Sequence, residues 1–169
     1  MNMLDAVKSV LTQYFGFSGR ARRSEFWFWV LATILVAIVI ALIESLMMGI
    51  PSNDTGPIST IYILLIFIPG LAVSFRRLHD IGRTGWWIGG FFLAVIVFLI
   101  IMASISFGMV TGSASINNLT AFGFILIAAL FGAFIYWIVL LVFFCQDSVA
   151  GPNKYGPNPK NEGNYDIFE

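Results

Sequence analysis

The sequence predicts an all-α integral membrane protein with four transmembrane helices, an N-terminal amphipathic surface helix and an irregular C-terminal tail. Of its 169 residues, 59% are hydrophobic and only 11% are charged, whereas soluble domains usually carry about 25% charged residues. A domain of this size leaves much of its surface exposed, and this chain has too little charge to cover that surface in water. The length indicates one domain, and lipid is its expected solvent.

Four apolar runs are long enough to cross a bilayer. Roughly 20 residues, each rising 1.5 Å, span the hydrocarbon region of about 30 Å. We predict spans at about residues 26–48, 58–75, 86–110 and 119–145, which make up a transmembrane domain over 26–147. Pro69 should kink the second span, because proline removes a backbone donor.

The basic residues predict the orientation of these spans. The connections at 49–57 and 111–118 contain no Lys or Arg. All nine basic residues lie on the opposite side: Lys8, Arg20, Arg22, Arg23, Arg76, Arg77, Arg83, Lys154 and Lys160. Positive residues in short loops stay in the cytoplasm, so both termini are expected there. The first apolar run begins too late, and is too long, for a cleaved signal peptide.

The two terminal segments differ in their expected structure. Within residues 1–25, apolar side chains recur at helical spacing, which predicts a short amphipathic helix on the inner surface. The tail, residues 148–169, is rich in Gly, Pro and Asn and should form turns. We expect residues 151–159 to dock against the arginine-rich inner face, whereas residues 161–169 stay mobile. Tyr155 is the expected anchor, with its ring on a guanidinium and its hydroxyl on Asp80 or Glu25.

Two cytoplasmic segments, residues 17–27 and 75–87, concentrate the candidate binding residues. Guanidinium groups donate two parallel hydrogen bonds to phosphate oxygens, and each basic residue at the inner leaflet contributes about 1 kcal/mol of attraction to anionic lipid. Two acids cannot neutralise the six arginines, although Arg76 and Asp80 have the spacing of an i,i+4 pair. The candidates for binding an anionic head group or a partner protein are Arg20, Arg22, Arg23, Glu25, Arg76, Arg77, His79, Asp80, Arg83 and Tyr155.

A simpler interpretation applies to the same arginines. Basic residues that flank membrane helices are the usual topological signal, and lipid phosphates solvate them. Topology alone does not require His79 beside Asp80, nor glycines on both sides of Arg83. The small-residue pairs Gly85–Gly89 and Ala128–Gly132 are typical of close packing between helices or with a second copy.

Catalytic and metal-binding signals are nearly absent. The single Cys145 and the single His79 cannot form a cysteine cluster or a multi-histidine site, so we expect no metal and no cofactor. Adjacent residues on a helix point in different directions, so His79 and Asp80 do not form a dyad by adjacency, and a structural role for His79 is favoured. The net charge of zero gives no reason to expect nucleic acid as a partner. Glu44 should lie near the outer surface and snorkel into water, with an ion or proton pathway as the alternative.

Three stretches together resemble one protein family: Phe17 to Trp27 (FSGRARRSEFW), Arg76 to Trp87 (RRLHDIGRTGWW) and Gly151 to Pro159 (GPNKYGPNP). The chain is similar, from about Leu4 to Lys160, to the bacterial inner-membrane proteins catalogued as domain of unknown function 805, which include the YhaH-like and YhaI-like proteins. The resemblance implies a bacterial cytoplasmic-membrane protein of about four helices. It implies no particular activity.

The function expected from the sequence is non-enzymatic: the arginine-rich face binds anionic phospholipid head groups or docks a partner protein. A small transporter or transport accessory subunit is the first alternative, if Glu44 and Pro69 line a cavity. An enzyme acting on lipid head groups is the second, and it needs His79, Asp80 and Arg83 in a common pocket. The expected partners are the bilayer, an anionic phospholipid, and a partner protein or a second copy of the chain.

Overall fold

A computed structural model describes residues 1–51, 54–111 and 116–160, apart from the side chains of 116–119 and 121. Within these residues the chain forms five helices and no strand: α1 (Met3–Thr12), α2 (Arg23–Met48), α3 (Pro57–Asp80), α4 (Trp86–Val110) and α5 (Ile116–Cys145). Four of the helices are long and apolar enough to cross a membrane, which confirms the predicted fold class. Residues 161–169, which we expected to be mobile, lie outside the described part, as do residues 112–115 of the predicted connection between the last two spans.

The described residues fall into two compact units. The first contains α1, α2, α3 and the chain from Phe144 onward, and the second runs from Trp86 to Phe143 and so contains α4 with most of α5. All ten candidate binding residues lie in the first unit, which is where the site is built.

Helix α1 is the amphipathic helix that the apolar spacing predicts. Asn2 caps it by accepting a hydrogen bond from the Asp5 backbone N–H at 2.8 Å, and the Asp5 carboxylate accepts in return from the Asn2 N–H. Its small buried residues, Ala6 and Val10, let the helix approach its neighbours closely. Val10 belongs to the main apolar core, together with Ala21, Phe26, Trp29 and Val73.

Helix α3 is longer than the apolar run that predicts it. It begins at Pro57, a first-turn position that proline favours, runs through Pro69, and ends at Asp80, five residues beyond the predicted end. The hydropathy pattern stops at Phe75 because two arginines follow. Their guanidinium groups are paired inside the protein, so the helix continues through them.

At the opposite end of α2 and α3, Glu44 caps the start of α3. Its side chain is 3% exposed and accepts hydrogen bonds from the backbone N–H groups of Ile58 (2.6 Å) and Ser59 (3.0 Å), and from the Ser59 hydroxyl. The first N–H groups of a helix lack partners within the helix, and here a carboxylate takes the place of water. The expected snorkelling into water is therefore wrong for this carboxylate. A Cβ on Gly56 would displace the Glu44 carboxylate from this position.

The second unit is held together by aromatic packing near its ends. The Tyr136 hydroxyl donates to the backbone carbonyl of Trp87 at 2.6 Å, its ring stacks on Phe91, and Trp87 meets Phe143 edge-on. Residues of α4 and α5 also line an apolar groove of about 510 Å³, including Gly90, Ala94, Gly132 and Ala133.

Candidate functional site

The two arginine segments meet in one buried cluster. Arg20 Nε lies 3.0 Å from Asp80 Oδ1, and Arg76 Nη1 lies 3.2 Å from Glu25 Oε1. Each ion pair joins a residue of the first segment to a residue of the second. The four side chains are at most 7% exposed, and buried charges are stable only when they are paired and hydrogen-bonded. The two segments therefore form one buried cluster.

Asp80 is the centre of the cluster. Its Oδ2 accepts from Arg77 Nη1 at 2.5 Å and from the Ser148 hydroxyl at 2.5 Å, while its Oδ1 accepts from Arg20. The predicted pair of Arg76 with Asp80 is wrong. Both Arg76 and Arg77 are within reach of Asp80 along the helix, but Arg76 faces Glu25, and the i,i+3 neighbour Arg77 takes the carboxylate instead.

Arg76 ties α1 to the cluster. Its Nη1 donates to Gln13 Oε1 at 2.7 Å as well as to Glu25, and the Ser9 hydroxyl donates to the same Glu25 oxygen at 3.0 Å. The other edge of the guanidinium, Nε and Nη2, is buried and has no hydrogen-bond partner among the described residues.

Two arginines cap the end of α5. Arg77 donates from Nε to the carbonyl of Phe144 at 3.2 Å and from Nη2 to that of Gln146, and Arg23 donates to the carbonyl of Cys145 at 3.4 Å. The last carbonyls of a helix lack partners within the helix and carry partial negative charge. Positive side chains placed here satisfy both the hydrogen bonds and the charge.

Arg20 fastens the tail. Its Nη1 donates to the carbonyls of Gly151 (2.8 Å) and Gly156 (3.3 Å), and its Nη2 donates to those of Val149 (2.6 Å) and Asp80 (3.3 Å). Arg22 donates to the carbonyl of Pro159. The predicted docking of residues 151–159 on the arginine-rich face is confirmed. These acceptors are backbone carbonyls, so the arginines bind the backbone of the tail rather than its side chains.

Tyr155 anchors the tail on His79. The two rings are parallel within 6°, with their centroids 3.8 Å apart, and Asn153 Nδ2 donates to the His79 carbonyl at 3.0 Å. The sequence predicted that the ring would stack on a guanidinium, and this is wrong. The guanidinium groups of Arg20, Arg76 and Arg77 are buried against other partners, which leaves the half-buried imidazole as the available flat surface.

His79 and Asp80 do not share a pocket. The Asp80 carboxylate is enclosed by Arg20, Arg77 and Ser148, whereas His79 Nδ1 lies 3.2 Å from the carbonyl of Gly19. Among the described residues there is no group of three His, Cys, Asp or Glu side chains that could hold a metal ion. The geometry thus positions His79 as a stacking partner for Tyr155.

The remaining candidates lie around the buried cluster. Arg23 and Arg83 are exposed, and Arg22 is half-buried. Arg83 follows the turn that ends α3, where Gly82 has φ +75° and the Arg83 N–H donates to the carbonyl of Leu78 at 2.9 Å. Gly85 packs on Phe75: a Cβ at Gly85 would lie 2.0 Å from the Phe75 ring.

Sequence reasoning missed four polar residues of the cluster: Ser9, Gln13, Ser148 and Asn158. Ser9 and Gln13 are four residues apart, so a helical projection could have placed both on the side of α1 that faces Glu25 and Arg76. Asn158 is 1% exposed and bridges the tail, donating to the carbonyl of Val149 and accepting from the Lys160 N–H. No local pattern marks Ser148 or Asn158.

These features define an all-α integral membrane protein whose C-terminal tail is fastened to the arginine-rich ends of its helices. A family model described as "Protein of unknown function (DUF805)" matches residues 14–157, and the chain belongs to that family. Two relatives are inner membrane proteins of Escherichia coli (strain K12). YhaH is 33% identical over 94% of this chain and 99% of its own length, and YhaI is 35% identical over 90% and 92%. A comparison with solved structures found no match.

Proposed function

We propose that the chain is a non-enzymatic protein of the bacterial inner membrane whose cytoplasmic end binds anionic phospholipid head groups. The binding surface consists of the exposed basic residues around the buried cluster, Arg23, Arg83 and Lys154, with half-buried Arg22 beside them. We call these four residues the outer basic surface.

The way charge is distributed at this end supports the proposal. Residues 17–27, 75–87 and 144–160 contain eight Lys or Arg but only three acids, Glu25, Asp80 and Asp147. Glu25 and Asp80 form ion pairs inside the cluster with Arg20, Arg76 and Arg77. Asp147 forms an ion pair with Lys160. Arg22, Arg23 and Lys154 form no ion pair with an acid in the described part of the chain, and lipid phosphates are the anions available at the inner leaflet.

The cytoplasmic orientation rests on the distribution of basic residues and has its own test. An Asp54→Cys or Thr111→Cys variant, made in a Cys145→Ser background, should react in intact cells with a thiol reagent that cannot cross the membrane. A Lys154→Cys variant should react only after the cells are broken. The reverse pattern would put the arginine-rich end outside and remove the anionic inner leaflet as its partner.

Head-group binding is tested by the stability of the purified protein. A ligand that binds only the folded state stabilises it by RT ln(1 + [L]/Kd), about 2.7 kcal/mol at a hundredfold excess over Kd. Cardiolipin added to protein in neutral detergent should raise the unfolding temperature, whereas phosphatidylcholine should not. Arg23→Gln and Arg83→Gln should each reduce that rise, and the double variant should reduce it more than either single variant. Lys8→Gln, which removes an equal charge from α1, should keep it.

Two results would contradict head-group binding. One is the absence of a cardiolipin-dependent rise in the wild-type protein, and the other is an undiminished rise in the Arg23/Arg83 double variant. The first result would favour docking of a partner protein on the same surface, and the second would place the lipid elsewhere on the protein. The transporter alternative gains no support from Glu44, whose carboxylate is occupied in capping α3.

A further inference from the structure

The Arg76 guanidinium has more hydrogen-bond donors than the observed acceptors satisfy. The side chain is 1% exposed, and both of its hydrogen bonds, to Gln13 and Glu25, leave from Nη1. Nε and Nη2 are buried without a hydrogen-bond partner in the described part of the chain. Buried polar groups are nearly always hydrogen-bonded, and an unpaired charged donor is costlier than a neutral one. A second partner for this edge is therefore required.

The chemistry of the unpaired edge indicates what that partner is. Nε and Nη2 are the two parallel donors that grip carboxylate or phosphate oxygens in a bidentate contact. A single lysine nitrogen could donate hydrogen bonds to both Glu25 and Gln13. The arginine at this position therefore has two further donors, Nε and Nη2, that the observed contacts do not use. The surrounding segments hold five more basic than acidic residues, so an added anion lowers the local repulsion.

We propose that the Nε–Nη2 edge of Arg76 is a second ligand site, distinct from the outer basic surface, that binds the oxygens of a phosphate group. The phosphate belongs either to a lipid head group or to a free phosphate ion. Arg76 lies one helical turn from the end of α3, about 6 Å by the helical rise.

Helix α1 covers the Arg76 site. It is fixed over the Arg76–Glu25 pair by the side chains of Ser9 and Gln13, and its buried contacts come from the small residues Ala6 and Val10. Its other side is exposed, including Leu4 and Leu11. Local opening of α1, of the kind that folded proteins undergo short of global unfolding, would admit the ligand to Arg76.

The first test compares phosphate sources. The unfolding temperature of the full chain in neutral detergent is measured with inorganic phosphate and with dihexanoyl-phosphatidylglycerol. Sodium chloride at equal ionic strength and dihexanoyl-phosphatidylcholine serve as controls. Stabilisation by phosphatidylglycerol alone assigns the site to a lipid, stabilisation by inorganic phosphate assigns it to the free ion, and either supports the site. Absence of both overturns it, since water alone would then satisfy the edge.

The second test separates Arg76 from the outer basic surface. Arg76→Lys keeps the charge near Glu25 but loses the bidentate edge, and should weaken phosphate affinity at least fivefold. The Arg23→Gln/Arg83→Gln variant should retain that affinity, so failure of the outer-surface proposal and failure of this one are distinguishable. Equal affinity in wild type and Arg76→Lys would contradict the assignment.

The third test remains informative if Arg76→Lys is unstable. A Val10→Cys variant in a Cys145→Ser background places a thiol beneath α1. A phosphate bound under the closed helix should slow the reaction of this thiol with a soluble reagent at least fivefold, and Gln13→Ala should raise the basal labelling rate. Labelling that is insensitive to both phosphate sources would overturn the covered site.

Discussion

Arg20 donates from Nε to Oδ1 of Asp80 at 3.0 Å, with both side chains at most 1% exposed. This pair joins the connection between α1 and α2 to the last residue of α3. The remaining donors of Arg20 hold the tail. One guanidinium therefore links three parts of the chain that are distant in sequence, and loss of any one part should be measurable as a loss of stability.

Truncation tests the tail. A chain ending at Ser148 loses the Gly151 and Gly156 carbonyls that Arg20 binds, and the stacking of Tyr155 on His79. Hydrogen bonds to charged groups contribute about 1.5–3 kcal/mol each, and 1 kcal/mol corresponds to roughly 2–4 °C at this size. The unfolding temperature in detergent should therefore fall by at least about 6 °C. A chain ending at Lys160 should unfold like the full chain, and equal stability of all three would reduce the tail to a tether.

Asp147 gives the tail a predictable pH dependence. The hydrogen bond from Lys160 Nζ, at 2.5 Å, together with that from the Ser148 N–H, holds the pKa of Asp147 below its ordinary value of 3.8. Because the pKa is lowered on folding, this contact stabilises the docked tail above pH 3.8 and is lost as the pH falls through the lower folded value. In Lys160→Met, NMR titration of the Asp147 carboxyl should show a pKa nearer to the ordinary one. An unchanged titration would show that Lys160 is not the cause.

Gly85 tests the packing at the end of the first unit. Ala at this position places its Cβ 2.0 Å from the Phe75 ring, and overpacking of this kind costs about 1–3 kcal/mol. Gly85→Ala should therefore lower the unfolding temperature. The matched control is Gly70→Ala within α3, where the new Cβ makes an ordinary contact of 3.7 Å with Trp29. Equal behaviour of the two variants would contradict the close approach of Phe75 to Gly85.

Glu44 tests the cap of α3. Glu44→Ala should lower the unfolding temperature, because three donors at the start of α3 lose their acceptor. Ser59→Ala, which removes only one donor, should have the smaller effect. If Glu44→Ala unfolds at the wild-type temperature, the cap is not stabilising. That result would favour the alternative role of this carboxylate in an ion or proton pathway.

Hydropathy and charge were sufficient to predict the four spans, because lipid imposes long apolar runs whatever the local packing. They placed the end of α3 too early, since a hydropathy pattern reads Arg76 and Arg77 as the edge of the bilayer. Only the fold brings Glu25 and Asp80 to these arginines and lets the helix continue.

The partners within the site were harder to predict. The Gly and Pro turns of the tail were sufficient to predict that it docks. The arginines, however, bind backbone carbonyls of the tail, and every residue has a backbone carbonyl. Sequence therefore contains no signal for which carbonyls Arg20 and Arg77 select. Likewise, the sequence predicted that the Glu44 carboxylate would be solvated by water. Its hydrogen-bond donors are the N–H groups at the start of α3, and these come close to Glu44 only in the folded chain.

A double-mutant cycle on Arg20 and Asp80 tests the buried cluster most directly. The free energies of unfolding of wild type, Arg20→Gln, Asp80→Asn and the double variant are measured in the same detergent. Arg20→Gln/Glu44→Gln, with Glu44 at the opposite end of α2 and α3, is the distant control. Arg20 and Asp80 are in direct contact, so their effects should be non-additive by at least 1 kcal/mol, within the range of about 0.5–3 kcal/mol seen for contacting pairs. The control pair should be additive. Additivity of Arg20→Gln and Asp80→Asn to within about 0.3–0.5 kcal/mol would contradict a single cluster and return the two arginine segments to separate topological signals.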